Sequence, residues 1–363
     1  MHLTILWPTG AANVADKSFD VVAYGHALLD VQARVSHRFV SDLDLQESTQ
    51  QLVGAAQAAW LYERMRCSAR ESSGGSAANS AAIVAALGGK AGFMGRVGAD
   101  WPGDVFTNDL QAQGVSFVPR VRNVADGDTG RCLVLVTPDG KRTMSTCLGA
   151  ANKAGMADLD ARLIARSRFL LIEGYMFDTP ENRGGTEAAM KMAKDSGTKI
   201  ALTLSAENCI ERHRDVFCNL VKEVDVVLAN DAEVMSLYRM RDIDSALTEV
   251  AKHASLAAIT RGAAGAAIVS KNSHIHIPAL PGVHVVDTTG AGDAFAGGFL
   301  YGLAQGKTPL QVGRMATLCA AEIISHMGAR PEQNLKSNVA RGLRTGLRAQ
   351  TTRSVPAKPH KPV

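Results

Sequence analysis

The strongest constraint on this chain is a rhythm. Phe19 to Tyr24 is a short apolar run ended by Gly25, and similar runs follow at Phe169 to Ile172, Lys199 to Leu204 and Val224 to Leu228. Each is followed by a stretch with helical spacing, such as Glu181 to Lys194. Strands that alternate with helices pair in parallel, and the crossover helices cover both faces of the sheet. The expectation is therefore an α/β fold in three layers, α/β/α, with a mostly parallel central sheet. A chain of 363 residues with 46% hydrophobic and 20% charged residues can bury a core of that kind, as one large domain or a large domain with a smaller companion.

Two stretches break the rhythm. Val31 to Ser72 is a polar, partly helical insertion, and Arg131 to Cys147 reads as two strands around Pro138-Asp139-Gly140, a hairpin turn by its chemistry. Strand-rich insertions beyond the carboxyl ends of a parallel sheet lie where ligands bind. The predicted organisation is a loose extension over 1–18, a main domain over 19–332 with a small β-rich lid from about 31–72 and 117–150, and a basic, partly disordered tail over 333–363. No internal repeat is visible.

Charge and composition exclude several classes. The formal net charge is +4, but seven basic and no acidic residues lie beyond Glu332, so the remainder carries −3. That distribution gives the folded part no groove-sized positive field, and aromatics at 5% argue against stacking platforms; no nucleic-acid partner is expected. The six cysteines include no C-x-x-C pair, so neither a disulfide framework nor a zinc site is expected. Met1 to Trp7 lacks a basic segment and meets Pro8, unlike a secretory signal, and no apolar run is long enough to span a bilayer. The expectation is a cytoplasmic protein without a membrane partner.

The most informative segment for chemistry is Val285 to Leu303, VVDTTGAGDAFAGGFLYGL. A short strand (Val285, Val286) is expected to run into Gly290-Ala291-Gly292 and then an apolar helix from near Asp293. Glycines here let successive N–H groups converge at the positive end of that helix, which is an anion site. Asp293 follows immediately, where its carboxylate can accept a proton from a hydroxyl attacking a phosphorus atom held in the cradle. An acidic residue in a first turn also simply favours the helix dipole. Neither a G-x-x-x-x-G-K-[ST] nor a G-x-G-x-x-G motif occurs.

D-T-T-G-A-G-D-A-F-x-G-G-F resembles the C-terminal signature of the ribokinase-like (PfkB) family of sugar and nucleoside kinases. Ser73 to Asp104 resembles the family's N-terminal signature. Short matches at Ile172 to Phe177, Leu202 to Ala206 and Gly149 to Asn152 are similar to the adenosine kinase branch. The resemblance spans roughly Asp20 to Pro331.

It implies ATP-dependent phosphorylation of the 5′-hydroxyl of a nucleoside, adenosine before others, with a sugar kinase acting on ribose, fructose or 2-keto-3-deoxygluconate as the alternative. By that resemblance Asp293 is the general base, Gly290, Ala291 and Gly292 form the anion hole, and Arg142 neutralises charge from the lid. His26, Asp30, Gly74, Gly75 and Asn79 hold the acceptor. His26 stands where the branch usually has asparagine; a structural histidine near a strand end is the other reading. Thr260, Gly262 and Gly265 carry the nucleotide, with Cys319, Ala320 and Gly328 at its adenine wall.

Asn230 and Glu233 match an N-x-x-E element that acts on Mg²⁺ through water, although the same spacing opens a helix as a capping box. A solvated hairpin charge is the other reading of Arg142. A monovalent cation such as K⁺ near Asp287, and a monomeric or homodimeric state, are left open.

Overall fold

The computed structural model describes residues 17–344 and the pair Gln350–Thr351. The larger sheet has ten strands. In spatial order they are Gln350–Thr351, Ser273–Ile277, Ala266–Ser270, Ala257–Thr260, Val226–Asn230, Lys199–Thr203, Ser167–Glu173, Phe19–Tyr24, Ala91–Met94 and Val115–Ser116. From Ala257–Thr260 to Val115–Ser116 every pairing is parallel, and only the edge formed by the other three strands is antiparallel.

The continuous apolar reading of Phe19–Tyr24 has a direct cause: Val21, Val22, Ala23 and Tyr24 are all fully buried, as a parallel strand covered on both faces must be. Successive residues serve opposite layers. Val22, Tyr24, Leu170, Ile172 and Leu202 face the helices Pro180–Asp195, Glu207–Glu223, Asp231–Tyr238 and Ile243–His253. Val21, Ala23, Phe169, Leu171 and Ala201 face Ser76–Ala86, Trp101–Ala112, Ala291–Ala304 and Pro309–Ile323.

The second layer places the chemistry. Helices Ser76–Ala86 and Ala291–Ala304 lie against each other because their contact is built from small residues. A Cβ at Gly297 would sit 2.5 Å from the Ser80 carbonyl oxygen. Close backbone approach brings Ser76 and Asn79, on the first helix, beside Asp293 on the second.

The lid is a separate five-stranded sheet, in the order Gln50–Leu52, Arg142–Gly149, Thr129–Val136, Leu28–Arg34 and Ala69–Gly74. One face of it has its own core, in which Leu29, Val31, Leu133 and Leu135 pack with Leu61 and Met65 of the helix Ala55–Met65. The hairpin forms at the expected turn, where the Gly140 N–H donates to the Thr137 oxygen at 2.9 Å and the Thr137 N–H to the Lys141 oxygen at 3.0 Å. The lid strands begin at Leu28, so Asp30 lies within one of them and not ahead of the lid.

One other expectation is corrected. Val285 and Val286 form no strand; the Val286 N–H donates instead to the Ile324 oxygen at the end of a helix, at 2.8 Å. The start of the basic tail is ordered as the helix Leu335–Arg344, whose Leu335 and Val339 pack on Ile83, Leu87 and Ile323. The expectations for residues 1–16, 345–349 and 352–363 lie outside the described residues. Among the described residues, no helix is long and apolar enough to cross a membrane.

Candidate active site

Three cavities meet at Gly292 and Asp293. One of about 620 Å³ is lined by Gly292, Ala291 and Thr288; one of about 180 Å³ by Gly292, Asp293, Asn230 and Glu233; and one of about 230 Å³ by Asp293, Gly290, Asp30, Asn79 and Arg142. The helix that carries Asp293 begins at Ala291, two residues earlier than expected, with Gly290 as its cap at φ +74°. A Cβ at Gly290 would also meet the Ala329 Cβ at 2.5 Å, so glycine is required here for both conformation and space.

The Ala291 N–H donates to the Thr288 oxygen at 3.2 Å and is spent on the turn. The Gly290 and Gly292 N–H groups have no acceptor among the described residues. The donors this turn could offer an anion are therefore the amides of Gly290, Gly292 and the following first-turn residue, with Ala291 shaping the turn.

Asp293 is held from two sides. Its Oδ1 accepts from Ser76 Oγ at 2.6 Å and its Oδ2 from Asn79 Nδ2 at 2.7 Å. Burial raises its pKa above the usual carboxylate range, and the bonds from Ser76 and Asn79 and the charge of Arg330 partly offset that rise. A carboxylate with raised basicity, fixed by two donors and open to a cavity, is suited to take a proton from a bound hydroxyl.

Asp30 stands across the same cavity, its carboxyl packed against the Cα of Gly74. Its carboxyl makes no hydrogen bond within the described residues, and burial pushes its pKa up to about 7, against the pull of Arg330 and with help from Asp293 and Asp287. Apolar walls come from Leu28, Leu52, Met144, Leu148 and Tyr175.

One acceptor-side expectation changes. Asn79 lines the cavity, but its amide bridges Asp293 and Arg330, whose Nη1 donates to Asn79 Oδ1; it orients the carboxylate. His26 is buried, with Nε2 bonded to Asn182 Oδ1 at 3.1 Å and its backbone N–H donating to Glu173 Oε1 at 2.8 Å. Its ring bonds the scaffold, and the residue also lines the cavity shared by Asp30 and Asp293. Gly75 caps the Ser76–Ala86 helix at φ +89°, where a Cβ would collide with the His26 carbonyl.

Arg142 reaches from the lid to the anion loop, donating through Nη1 to Thr289 Oγ1 and through Nη2 to Thr288 Oγ1, both at 2.6 Å. It is not a solvated hairpin charge. Asp287 sits behind it with both oxygens engaged, Oδ1 by the Thr289 N–H and hydroxyl and Oδ2 by Gln32 Nε2 and the Gly328 N–H. Those donors outweigh burial and hold its pKa below the usual value. Both Asp287 oxygens are thus engaged by donors of the chain itself.

Thr260, Gly262, Gly265 and Ala320 line the large cavity. Gly328 and Cys319 do not: the Gly328 N–H serves Asp287, and Cys319 is buried against Gly298. Asn230 and Glu233 form the reciprocal capping box in full, with Asn230 Nδ2 donating to Glu233 Oε1 at 2.8 Å and the Asn230 N–H to Oε2 at 3.0 Å. Burial pushes the Glu233 pKa up to about 7. Among the described residues no group of three or more His, Cys, Asp or Glu side chains is arranged to hold a metal ion directly. Asn230 and Glu233 line the cavity of about 180 Å³ beside Gly292 and Asp293, where they would meet the water shell of a Mg²⁺ ion.

The pfkB family carbohydrate kinase pattern matches residues 65–335. This chain belongs to that family. A probable sugar kinase from Rhizobium etli CFN 42 is 38% identical, with a TM-score of 0.85 over 90% of this chain and 99% of the other. The adenosine kinase of Sinorhizobium meliloti is 36% identical, with a TM-score of 0.84 over 89% of this chain and 99% of the other. The adenosine kinase of Saccharomyces cerevisiae is 29% identical over 331 residues, covering 84% of this chain and 95% of the yeast protein. The fold is ribokinase-like, and the protein is a phosphotransferase with an alcohol group as acceptor, a nucleoside or sugar kinase that uses ATP.

Within this pfkB kinase, sequence reasoning missed Ser76, Glu173 and Arg330. Ser76 follows the Gly74-Gly75 pair and had a local signal, a hydroxyl at a helix start. Glu173 ends a core strand and accepts from the backbone of both His26 and Ala77, tying two strand ends to the acceptor helix. The weak matches at 172–177 and 202–206 prove to be neighbours, since Ser205 Oγ accepts from the Gly174 N–H at 2.8 Å and Tyr175 Oη donates to the Ser205 oxygen at 3.2 Å.

Proposed function

We propose that this kinase phosphorylates the 5′-hydroxyl of a nucleoside, adenosine before others, to the monophosphate. The observation that carries the reading is the pairing of Asp30 and Asp293 across one cavity that also carries a patch of apolar wall from Leu28, Leu52, Met144 and Leu148. An unpartnered carboxylate on the lid matches vicinal ribose hydroxyls, which donate to its two oxygens. The apolar walls match a flat heterocycle, which a free sugar lacks.

With the ribose held at Asp30, its primary hydroxyl lies toward Asp293, which accepts the proton as the oxygen attacks the γ-phosphorus. The Gly290 and Gly292 amides and the guanidinium of Arg142 stabilise the charge on the transferred group, where positioning and electrostatics supply most of the catalysis. Asn230 and Glu233 would hold the water shell of a Mg²⁺ ion bound with the nucleotide, which would supply further charge neutralisation. The lid excludes bulk water, which suppresses hydrolysis of ATP.

A sugar kinase is the second reading, favoured by the 38% identity to the probable sugar kinase. The deciding experiment is mass spectrometry of products after incubation with ATP, Mg²⁺ and a mixed panel of nucleosides and sugars. Adenosine monophosphate as the principal product supports the first reading, and a sugar phosphate as the principal product overturns it.

A further inference from the structure

Arg330 lies in the loop after the helix Pro309–Ile323 and does not line the acceptor cavity. Its Nη1 donates to Asn79 Oδ1, and its Nη2 to the Ser73 carbonyl oxygen at 2.6 Å and to Ser73 Oγ at 2.9 Å. Ser73 ends the lid strand Ala69–Gly74 and is itself fixed by Asp109, whose Oδ2 accepts from its N–H at 2.7 Å and its hydroxyl at 2.6 Å. The guanidinium Nε is buried without an acceptor. No carboxylate lies within ion-pair distance of Arg330 among the described residues, although Asp30, Asp109 and Asp293 surround it at longer range. A buried cation without a direct counter-ion is costly as a mere strut. Here its charge and its donors are both directed at the acceptor site.

We propose that Arg330 is the positioning residue of the base: it sets the Asn79 amide toward Asp293 and ties that pair to the lid. This rests on the reading of Asp293 as general base. A guanidinium only donates, so the Asn79 oxygen must face it, and the amide nitrogen is left to donate to Asp293 Oδ2 at 2.7 Å. Without Arg330 the amide is free to rotate and present its oxygen to the carboxylate, which repels it. The same contact makes base geometry depend on the lid, because one guanidinium bonds the end of a lid strand and the partner of the base together.

The positive charge also favours the ionised base. The other charged or titratable groups lining the cavities at Asp293 are Asp30 and Arg142 from the lid, His26, Glu173, Tyr175 and Asp178 around the ends of two core strands, and Glu233 beyond Gly292. Most are acidic and, when ionised, oppose ionisation of Asp293. Removing Arg330 therefore raises the pKa of the base, and activity is lost at a higher pH on the acid side.

The test compares Arg330→Met, Arg330→Lys and Asp293→Asn with the parent enzyme, reading kcat and acceptor KM from pH 5 to 9 with ATP and the acceptor found in the product screen. Arg330→Met is expected to lower kcat by roughly 10-fold to 100-fold, as misplacement of a catalytic group does, and to move the acid limb of kcat up by roughly one pH unit. Arg330→Lys is expected to keep the limb in place while kcat still falls, because an ammonium retains the charge but not the planar fork. If Arg330→Met fails to fold, Arg330→Lys decides: parent kcat in that variant overturns the proposal. Parent kcat and an unmoved limb in folded Arg330→Met overturn it too. Parent turnover in Asp293→Asn overturns the reading of the base and this inference with it; an inactive Asp293→Asn beside unaffected Arg330 variants overturns only this inference.

Discussion

The acceptor and nucleotide cavities share the Gly290–Asp293 turn but are built in opposite ways. The acceptor cavity carries Asp30, Asp293, Glu173, Asp178 and Arg142 among its lining residues. The larger cavity carries no charged side chain: threonines 260, 288 and 317 are its polar ones, and the rest is glycine, alanine, proline and apolar surface. On the proposed function, one end of the reaction would be controlled by charged side chains in fixed networks, and the other by backbone, shape and the helix terminus. Losing a buried charged partner costs far more than losing one apolar or hydroxyl contact. The two cavities should accordingly respond very differently to substitution.

The sharpest test of that contrast is Asp293→Asn. Removal of the base is expected to lower kcat by about 10³-fold or more while leaving acceptor binding largely intact, measured by turnover and by calorimetric titration of the acceptor. Next comes Arg142→Ala, with kcat expected to fall by roughly 10²-fold and acceptor KM to stay near the parent value, since its guanidinium bonds Thr288 and Thr289 of the anion loop.

Asp30→Asn should act mainly on binding, raising acceptor KM by roughly 10-fold to 100-fold through loss of a charged hydrogen-bond acceptor. The same residue sets a pH signature. Burial pushes Asp30 to about 7, so it is protonated below that value and ionised above it, and acceptor affinity should strengthen as pH rises through about 7. Calorimetry across that range should show the trend in the parent and lose it in Asp30→Asn.

The smallest effect belongs to Thr317→Val in the nucleotide cavity, where the KM for ATP should change by no more than about 3-fold. A large change there, or a negligible one at Asp293, would break the contrast between the cavities.

Much of this architecture is legible locally because the signals are local. Buried parallel strands must be apolar on both faces, so Phe19–Tyr24 is readable residue for residue. The Gly290–Asp293 turn is readable because a positive-φ cap and a helix N-terminus need glycine in a fixed order. The capping box at Asn230 and Glu233 was visible in the same way. Roles that depend on which distant side chain arrives were not. Nothing near His26 in the chain shows that Asn182, 156 positions away, bonds its ring. Asn79 reads as a sugar contact until Asp293 and Arg330 claim both ends of its amide.

By itself the order of residues determined the layered α/β body, the hairpin of the lid and the anion turn with its adjacent carboxylate, since each follows from periodicity, turn chemistry or capping within a few residues. Tertiary structure alone decided which carboxylate would remain unpartnered, where the lid begins and what holds the base. Those outcomes depend on close helix contact at Gly297 and on hydrogen bonds between residues more than two hundred positions apart, and burial, which sets the basicity of Asp30 and Asp293, exists only once the chain has closed around them.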